Sequence, residues 1–127
     1  MFVEKTNRIQ LSKPQKEWSE VLQNQHAKIR ESDSTYTNSK STFIISWIAK
    51  HKSAYVGEYR KHSSHFGEYR FFISTEDGLN ILNRDSLPTL LSSIEQFMEQ
   101  HDFGKREIKR AKKITEKKWK VLDNGVW

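Results

Sequence analysis

Positively charged side chains are concentrated in one short segment of this 127-residue chain. Residues 105–120 contain nine Lys or Arg and two Glu, whereas the net charge of the whole chain is +6, so the other residues are slightly negative in sum. On an α-helix, most of these cations fall on one arc: Lys105, Arg106, Lys109, Arg110, Lys112, Lys113, Lys117 and Lys120. The opposite arc holds Ile108, Ala111, Ile114, Thr115 and Trp119. The segment therefore predicts an amphipathic basic helix over residues 105–118.

Phosphate backbones are the commonest polyanions that such a row of Lys and Arg meets. The basic helix therefore predicts sequence-tolerant nucleic-acid binding, and the pattern does not distinguish DNA from RNA or single strands from duplexes. An acidic protein or a nucleoprotein complex could occupy the same face, as for a small regulator or inhibitor of phage or mobile-element type. The basic face could also be a solvated surface that only keeps the protein soluble. Contact with a membrane is not expected, because the apolar arc is small and Glu107 interrupts it.

A five-residue pattern occurs twice, as Val-Gly-Glu-Tyr-Arg at 56–60 and as Phe-Gly-Glu-Tyr-Arg at 66–70. The two copies predict the strands of a hairpin, joined by the polar residues between them. If one face of this hairpin is buried and the other meets water, tyrosines should pair inside and opposite charges outside. The predicted cross-strand pairs are Arg60 with Glu68, Glu58 with Arg70, Tyr59 with Tyr69 and Tyr55 with Ile73.

The sheet offers a second surface on which nucleic acid could bind. Arg60 and Arg70 are its candidate phosphate ligands, in support of the basic helix. Aromatic side chains beside them could stack on bases, and the candidates are Trp47, Tyr55, Tyr59, Tyr69 and Phe71. Aromatic residues at alternate strand positions are more often part of a core, which is the interpretation that we favour for them.

Residues 66–73, which read Phe-Gly-Glu-Tyr-Arg-Phe-Phe-Ile, resemble a strand of the RelE/ParE-like toxins. The resemblance covers eight residues, and this chain has one clear helix before its sheet where that family has two. Toxins of the RelE type cut messenger RNA on the ribosome. The resemblance implies, as a third hypothesis, a ribonuclease with Arg60, Arg70 and His65 as RNA-cleaving residues.

Other enzymatic chemistry has no recognisable signature in the sequence. It contains no Gly-rich phosphate loop, no nucleophile elbow and no carboxylates paired at a useful spacing. His62 and His65 have the spacing of a metal pair, but the chain has no cysteine, and Glu58 and Glu68 are assigned to Arg partners. We therefore expect no metal site and no cofactor, and a binding protein rather than an enzyme.

Helix signals lie on both sides of the predicted strands. Ser12 and Pro14 predict the start of a helix over residues 13–30, with the stripe Trp18, Val21, Leu22, Gln25 and Ile29. Asp85 or Ser86 can cap a second helix, predicted over residues 86–103 and ended by Gly104. Its stripe contains Leu87, Leu90, Leu91, Ile94, Phe97, Met98 and His101.

An antiparallel sheet is predicted between these helices, over residues 42–82. Residues 42–50 favour a central strand, with Phe43, Ile45, Trp47 and Ala49 on one side and Ile44 and Ile48 on the other. A three-residue turn at 76–78 would place Ile73 opposite Ile81. Residues 31–41 are rich in Ser, Thr, Asn and Asp and predict a loop.

Together these elements predict an α+β fold in a single domain over residues 1–127. A three- or four-stranded antiparallel sheet is expected, with a helix packed across one face, an N-terminal helix and a basic C-terminal amphipathic helix. No apolar run approaches the ~20 residues that span a bilayer. Without cysteine or a secretory signal, the chain is expected to be intracellular, in the cytoplasm or, in a eukaryote, the nucleus.

Overall fold

The computed structural model describes residues 9, 22–31, 35–38, 43–61 and 68–123. The elements within these residues are α1 (His26–Glu31), β1 (Thr35–Asn38), β2 (Phe43–His51), β3 (Ala54–Lys61), β4 (Glu68–Thr75), β5 (Gly78–Leu82), α2 (Leu87–Gln100) and α3 (Lys105–Asp123). Strands form one antiparallel sheet, and helices precede and follow it. The predicted α+β class is confirmed.

The five strands of the sheet lie in the order of the sequence, from β1 at one edge to β5 at the other. The strand β1 lies within residues 31–41, so the prediction of a loop there was wrong for residues 35–38. This edge strand pairs with β2 in antiparallel orientation, with Thr35 opposite Ser46 and Asn38 opposite Phe43. Polar residues of this kind favour turns locally, but pairing with an existing strand satisfies the backbone groups equally well.

Helices cover both faces of the sheet. On one face, which we call the helix-pair face, α2 and α3 pack on the strands; its buried residues include Val56, Phe71, Ile73, Leu82, Leu90, Ile94, Phe97 and Met98. On the other, which we call the N-terminal face, residues just before and within α1 pack on the strands; this cluster contains Leu22, Ile29, Ile45, Tyr59, Phe72, Leu79 and Ile81. The central strands therefore bury side chains on both sides.

The register of β3 against β4 differs by one residue from the predicted register. Tyr59 pairs with Arg70, Arg60 with Tyr69 and Glu58 with Phe71. Tyr59 and Tyr69 consequently lie at positions on opposite faces of the sheet. The predicted tyrosine pair and both predicted charge pairs were wrong, and so was the fourth pair, because Tyr55 pairs with Ser74 rather than with Ile73.

The prediction failed because it assumed that one face of the hairpin meets water. With helices on both faces, the observed register buries Phe71 on the helix-pair face and Phe72 and Tyr59 on the N-terminal face. Full burial of each such side chain is worth about 1.5–3 kcal/mol, whereas a charge pair across strands is worth about 0.2–1 kcal/mol. Gly57 pairs with Phe72, and the absence of a side chain leaves room for that ring.

A β-bulge in β2 changes which side chains share a face. Trp47 pairs with Gly57 and Ala49 with Val56, so Ile48 is the extra residue. Ile48 and Ala49 both pack on the helix-pair face, whereas Trp47 packs on the N-terminal face. The prediction that placed Ala49 with Trp47 was therefore wrong.

The turn between β4 and β5 is shorter than predicted. Thr75 pairs with Gly78, so the turn consists of residues 76 and 77, and Ile73 pairs with Asn80 rather than with Ile81. Gly78 has a φ of +155°, a conformation that residues with a Cβ rarely adopt.

Each of the three helices overlaps one predicted range, but their ends differ from the predicted ends. The helix α2 begins after Ser86, with Pro88 in its first turn, and ends at Gln100. The helix α3 continues past the predicted end at residue 118 to Asp123. At the N-terminus, α1 and helical residues 22–24 fall at the end of the predicted helix over 13–30. The start of that prediction, with Ser12, Pro14 and Trp18, lies outside the described residues.

Candidate nucleic-acid interface

One side of α3 is anchored to the rest of the protein. Ala111 and Thr115 are buried, and Ile108 and Trp119 pack partly buried against the core of the helix-pair face. The Trp119 indole Nε1 donates a 3.0 Å hydrogen bond to the carbonyl oxygen of Arg84. These contacts fix the rotation of α3 about its axis, so the direction of its other side chains is also fixed.

The start of α3 is capped by Glu107. Its Oε1 accepts a 3.1 Å hydrogen bond from the backbone N–H of Gly104, and the carbonyl of Gly104 accepts the first helical bond from Ile108. A carboxylate in the first turn is also favoured by the helix dipole. The acidic residue that interrupts the apolar arc in the sequence therefore defines where the basic helix begins.

Seven of the eight predicted cations of α3 are exposed. We call them the exposed stripe: Lys105, Arg106, Lys109, Arg110, Lys113, Lys117 and Lys120. At a rise of about 1.5 Å per residue, the stripe extends over roughly 22 Å along the helix axis. Lys120 Nζ lies 3.4 Å from Glu116 Oε2, one turn earlier, and both side chains of this pair are well exposed. The stripe presents a dense row of positive charge to solvent.

Lys112 differs from the other predicted cations because it is engaged with α2. Its ammonium group forms an ion pair with Glu95, and both side chains are little more than a third exposed. The carboxylate therefore partly neutralises Lys112, and the structure does not place this residue in the exposed stripe.

A groove of about 470 Å³ lies between α2 and α3. Glu95 and Glu99 of α2 line it, together with Glu116 of α3, while Leu91 and Ile108 supply apolar surface. The basic residues of its lining are Lys105, Lys109, Lys112 and Lys113. One flank of the exposed stripe thus borders carboxylates, and the other flank, with Arg106, Arg110 and Lys117, does not line this groove.

The ninth cation of the segment, Lys118, has a partner that the sequence analysis missed. Its Nζ lies 3.2 Å from Oε2 of Glu58, a carboxylate on the helix-pair face that is only 2% exposed. Burial raises the pKa of Glu58, and the positive charges of Lys118 and Arg60 oppose this rise only in part. The sequence held a signal for this contact, since a lysine on the apolar arc of a helix needs a buried acidic partner.

Arg60 and Arg70 are not brought together by the fold. Arg60 lies on the helix-pair face with its Nε atom buried, whereas Arg70 pairs with Tyr59 and lies on the N-terminal face. They therefore do not form one surface with each other, and only Arg60 shares a face with α3. Of the three residues implied by the resemblance to RelE/ParE-like toxins, these two are separated by the sheet and His65 lies outside the described residues.

The candidate stacking residues are mostly used by the cores. Tyr59 and Phe71 are fully buried, and Trp47 and Tyr55 are half-buried in an edge-to-face contact with ring centroids 5.0 Å apart. The side chain of Tyr69 is not among those described. The guanidinium group of Arg30 lies 4.4 Å from the ring centre of Tyr55, on the face of the sheet opposite α3.

A polar contact joins α1 to the same face of the sheet. The Nε2 atom of His26 lies 2.8 Å from the hydroxyl of Ser74, and Arg30 donates a 2.9 Å hydrogen bond to the carbonyl of Ser53. Burial lowers the pKa of His26, and the charge of Arg30 lowers it further. This cluster holds α1 in place on the N-terminal face.

Within the described part of the chain, no group of three His, Cys, Asp or Glu side chains is arranged to hold a metal ion. His62 and His65 lie outside that part. No helix in the described ranges is both long enough and apolar enough to cross a membrane. Comparison of the chain with protein-family models, with curated proteins and with solved structures finds no match.

Proposed function

We propose that this protein binds nucleic acid through the exposed stripe of α3, by contacts to phosphates and without selection of base sequence. The observation that carries the proposal is the division of one helix into an anchored side and a side of seven exposed cations. Lys and Arg held in a row on a fixed helix can each displace a condensed counterion from a phosphate backbone. An intracellular location, in the cytoplasm or in a eukaryotic nucleus, is part of this proposal.

The charge distribution supports this proposal over a role in solubility. Charges that only prevent aggregation do not need a common orientation, and both signs are normally mixed over the surface. Here the cations share one side of one helix, while Glu107 caps that helix, Glu95 pairs with Lys112 and Glu116 pairs with Lys120. The result is a surface of net positive charge, which attracts a polyanion and speeds its association.

The test is the salt dependence of binding in a variant of the stripe. Replacing Lys109, Lys113 and Lys117 with Gln removes three exposed cations from the stripe and keeps its helix-forming character. The slope of log affinity against log salt for duplex DNA should fall by about 1 to 3, since each of the three cations that contacts a phosphate contributes roughly 0.9. Affinity should fall equally for duplexes of unrelated sequence.

A matched control removes the same charge elsewhere. Lys28, Lys50 and Lys52 are exposed on α1 and around the β2–β3 turn, so their replacement with Gln lowers the net charge equally. This control should keep the wild-type slope. If both variants are folded and the stripe variant also keeps that slope, the proposal is wrong, and an acidic protein or nucleoprotein partner becomes the leading hypothesis for the basic face.

A further inference from the structure

We infer that the ligand is a double-helical nucleic acid, and that it lies against the flank of α3 turned away from α2. The inference rests on the proposed function and adds the class of nucleic acid and its direction of approach. It follows from the charge density of the stripe, from the carboxylates on one side of it and from the place of the aromatic side chains.

The density of cations on the stripe matches a duplex. Its seven cations occupy roughly 22 Å, and a duplex carries one phosphate per about 1.7 Å of axis, so a length equal to the stripe holds roughly 13 phosphates. Even if only the half facing the protein is within reach, the phosphates there are about as many as the cations of the stripe. A single strand has a lower charge density, and each contact to it releases fewer counterions, about 0.7 rather than 0.9.

The carboxylates determine the side of approach. Glu95 and Glu99 line the groove together with Lys105, Lys109 and Lys112, so phosphates there would meet negative charge. Arg106, Arg110 and Lys117 lie outside that lining and form a row of exposed cations. The outer row has one carboxylate beside it, Glu107, which accepts a hydrogen bond from the backbone N–H of Gly104, whereas the groove has three. A polyanion is therefore attracted more strongly to the outer row.

The aromatic side chains that the structure describes point to the same class of ligand. Binding of single strands normally combines cations with aromatic rings on which bases stack. Trp119, the aromatic residue within the described part of α3, donates its indole N–H to Arg84 and packs toward the core. Trp47 and Tyr55 lie across the sheet from α3. The outer row is therefore suited to a backbone whose bases are already paired.

The experiment compares four probes of equal length at matched salt: duplex DNA, duplex RNA, oligo-dT and oligo-U. Wild-type protein should bind both duplexes at least about fivefold more tightly than either single strand, because the phosphate density is higher. A difference in affinity between the two duplexes shows whether the protein prefers DNA or RNA as the double helix.

Two variants of equal charge test the direction of approach. One replaces Arg106, Arg110 and Lys117 with Gln, and the other replaces Lys105, Lys109 and Lys113, three exposed cations that line the groove. The outer variant should lower the salt slope for duplex by about 2 to 3, and the groove variant by less than about 1.5. Equal losses in the two variants would overturn the assigned side.

The inference and the proposed function can fail separately. If single strands bind as tightly as duplexes while the stripe variant still loses affinity, the proposed function stands and the inference of a double helix is wrong. If the variant with Lys109→Gln, Lys113→Gln and Lys117→Gln binds every probe as wild type does, both are wrong.

Discussion

Gly57→Ala tests the observed register of the central hairpin. A Cβ at this position would lie 2.6 Å from Cζ of Phe72 and 3.0 Å from Cε3 of Trp47, closer than carbon atoms normally approach. Phe72 is fully buried, so its ring cannot move away without displacing its neighbours. Overpacking of this kind costs about 1–3 kcal/mol, and the lower entropy of the unfolded chain with Ala offsets about 0.4–1 kcal/mol. We expect a net loss of about 1–2 kcal/mol in the free energy of unfolding.

The assay is urea denaturation of single and double variants. If the new methyl group meets Phe72, the loss should shrink markedly when Gly57→Ala is combined with Phe72→Leu, because the smaller side chain relieves the contact. Phe71→Leu is the matched control, since Phe71 is equally buried but lies on the other face. The observed register would be refuted if Phe71→Leu, rather than Phe72→Leu, reduced the loss of stability caused by Gly57→Ala. It would also be refuted if Gly57→Ala were as stable as wild type.

Two further substitutions test the titratable groups whose pKa values are shifted by burial. Because the pKa of Glu58 is raised above its ordinary value of 4.5, the folded state binds a proton more readily than the unfolded state. Protonation of Glu58 therefore stabilises the folded state as the pH falls through the raised pKa. Glu58→Gln should therefore be more stable than wild type at neutral pH and lose this advantage in acid; a less stable variant at neutral pH would contradict the assignment. The lowered pKa of His26 means that its contribution is fully present above 6.5 and is lost as the pH falls through the folded-state pKa. As the pH is lowered below 6.5, the free energy of unfolding, measured by urea titration, should fall less in His26→Gln than in wild type. The same pH dependence in both proteins would contradict this contribution of His26.

The basic helix was predictable because its pattern is local. The spacing of Ile108, Ala111 and Thr115 defines the anchored side without knowledge of any other element. In the structure, Ala111 and Thr115 are buried and Ile108 is partly buried. Gly104 lies in the break between α2 and α3, but α2 already ends at Gln100, and the residue with positive φ in the break is Asp102. A pattern of helical period contained in one segment carries its own orientation.

The register and the charge partners were not predictable, because they depend on elements distant in sequence. Whether Glu58 faces water or a helix depends on Lys118, sixty residues later. The same holds for Lys112, which belongs to the basic arc by sequence but is paired with Glu95 of the neighbouring helix. Cross-strand charge pairs are too weak to set a register once both faces of a sheet are covered.

The central claim is that the exposed stripe contacts nucleic acid, and lysine footprinting tests it most directly on the wild-type protein. The chain is treated with an amine-acylating reagent with and without duplex DNA, and the modification of each lysine is measured by mass spectrometry. Bound duplex should protect Lys113, Lys117 and Lys120, while Lys28 and Lys52 should react at the same rate in both samples. Protection confined to Lys28 and Lys52, or no protection at a concentration of duplex that saturates binding, would contradict the claim.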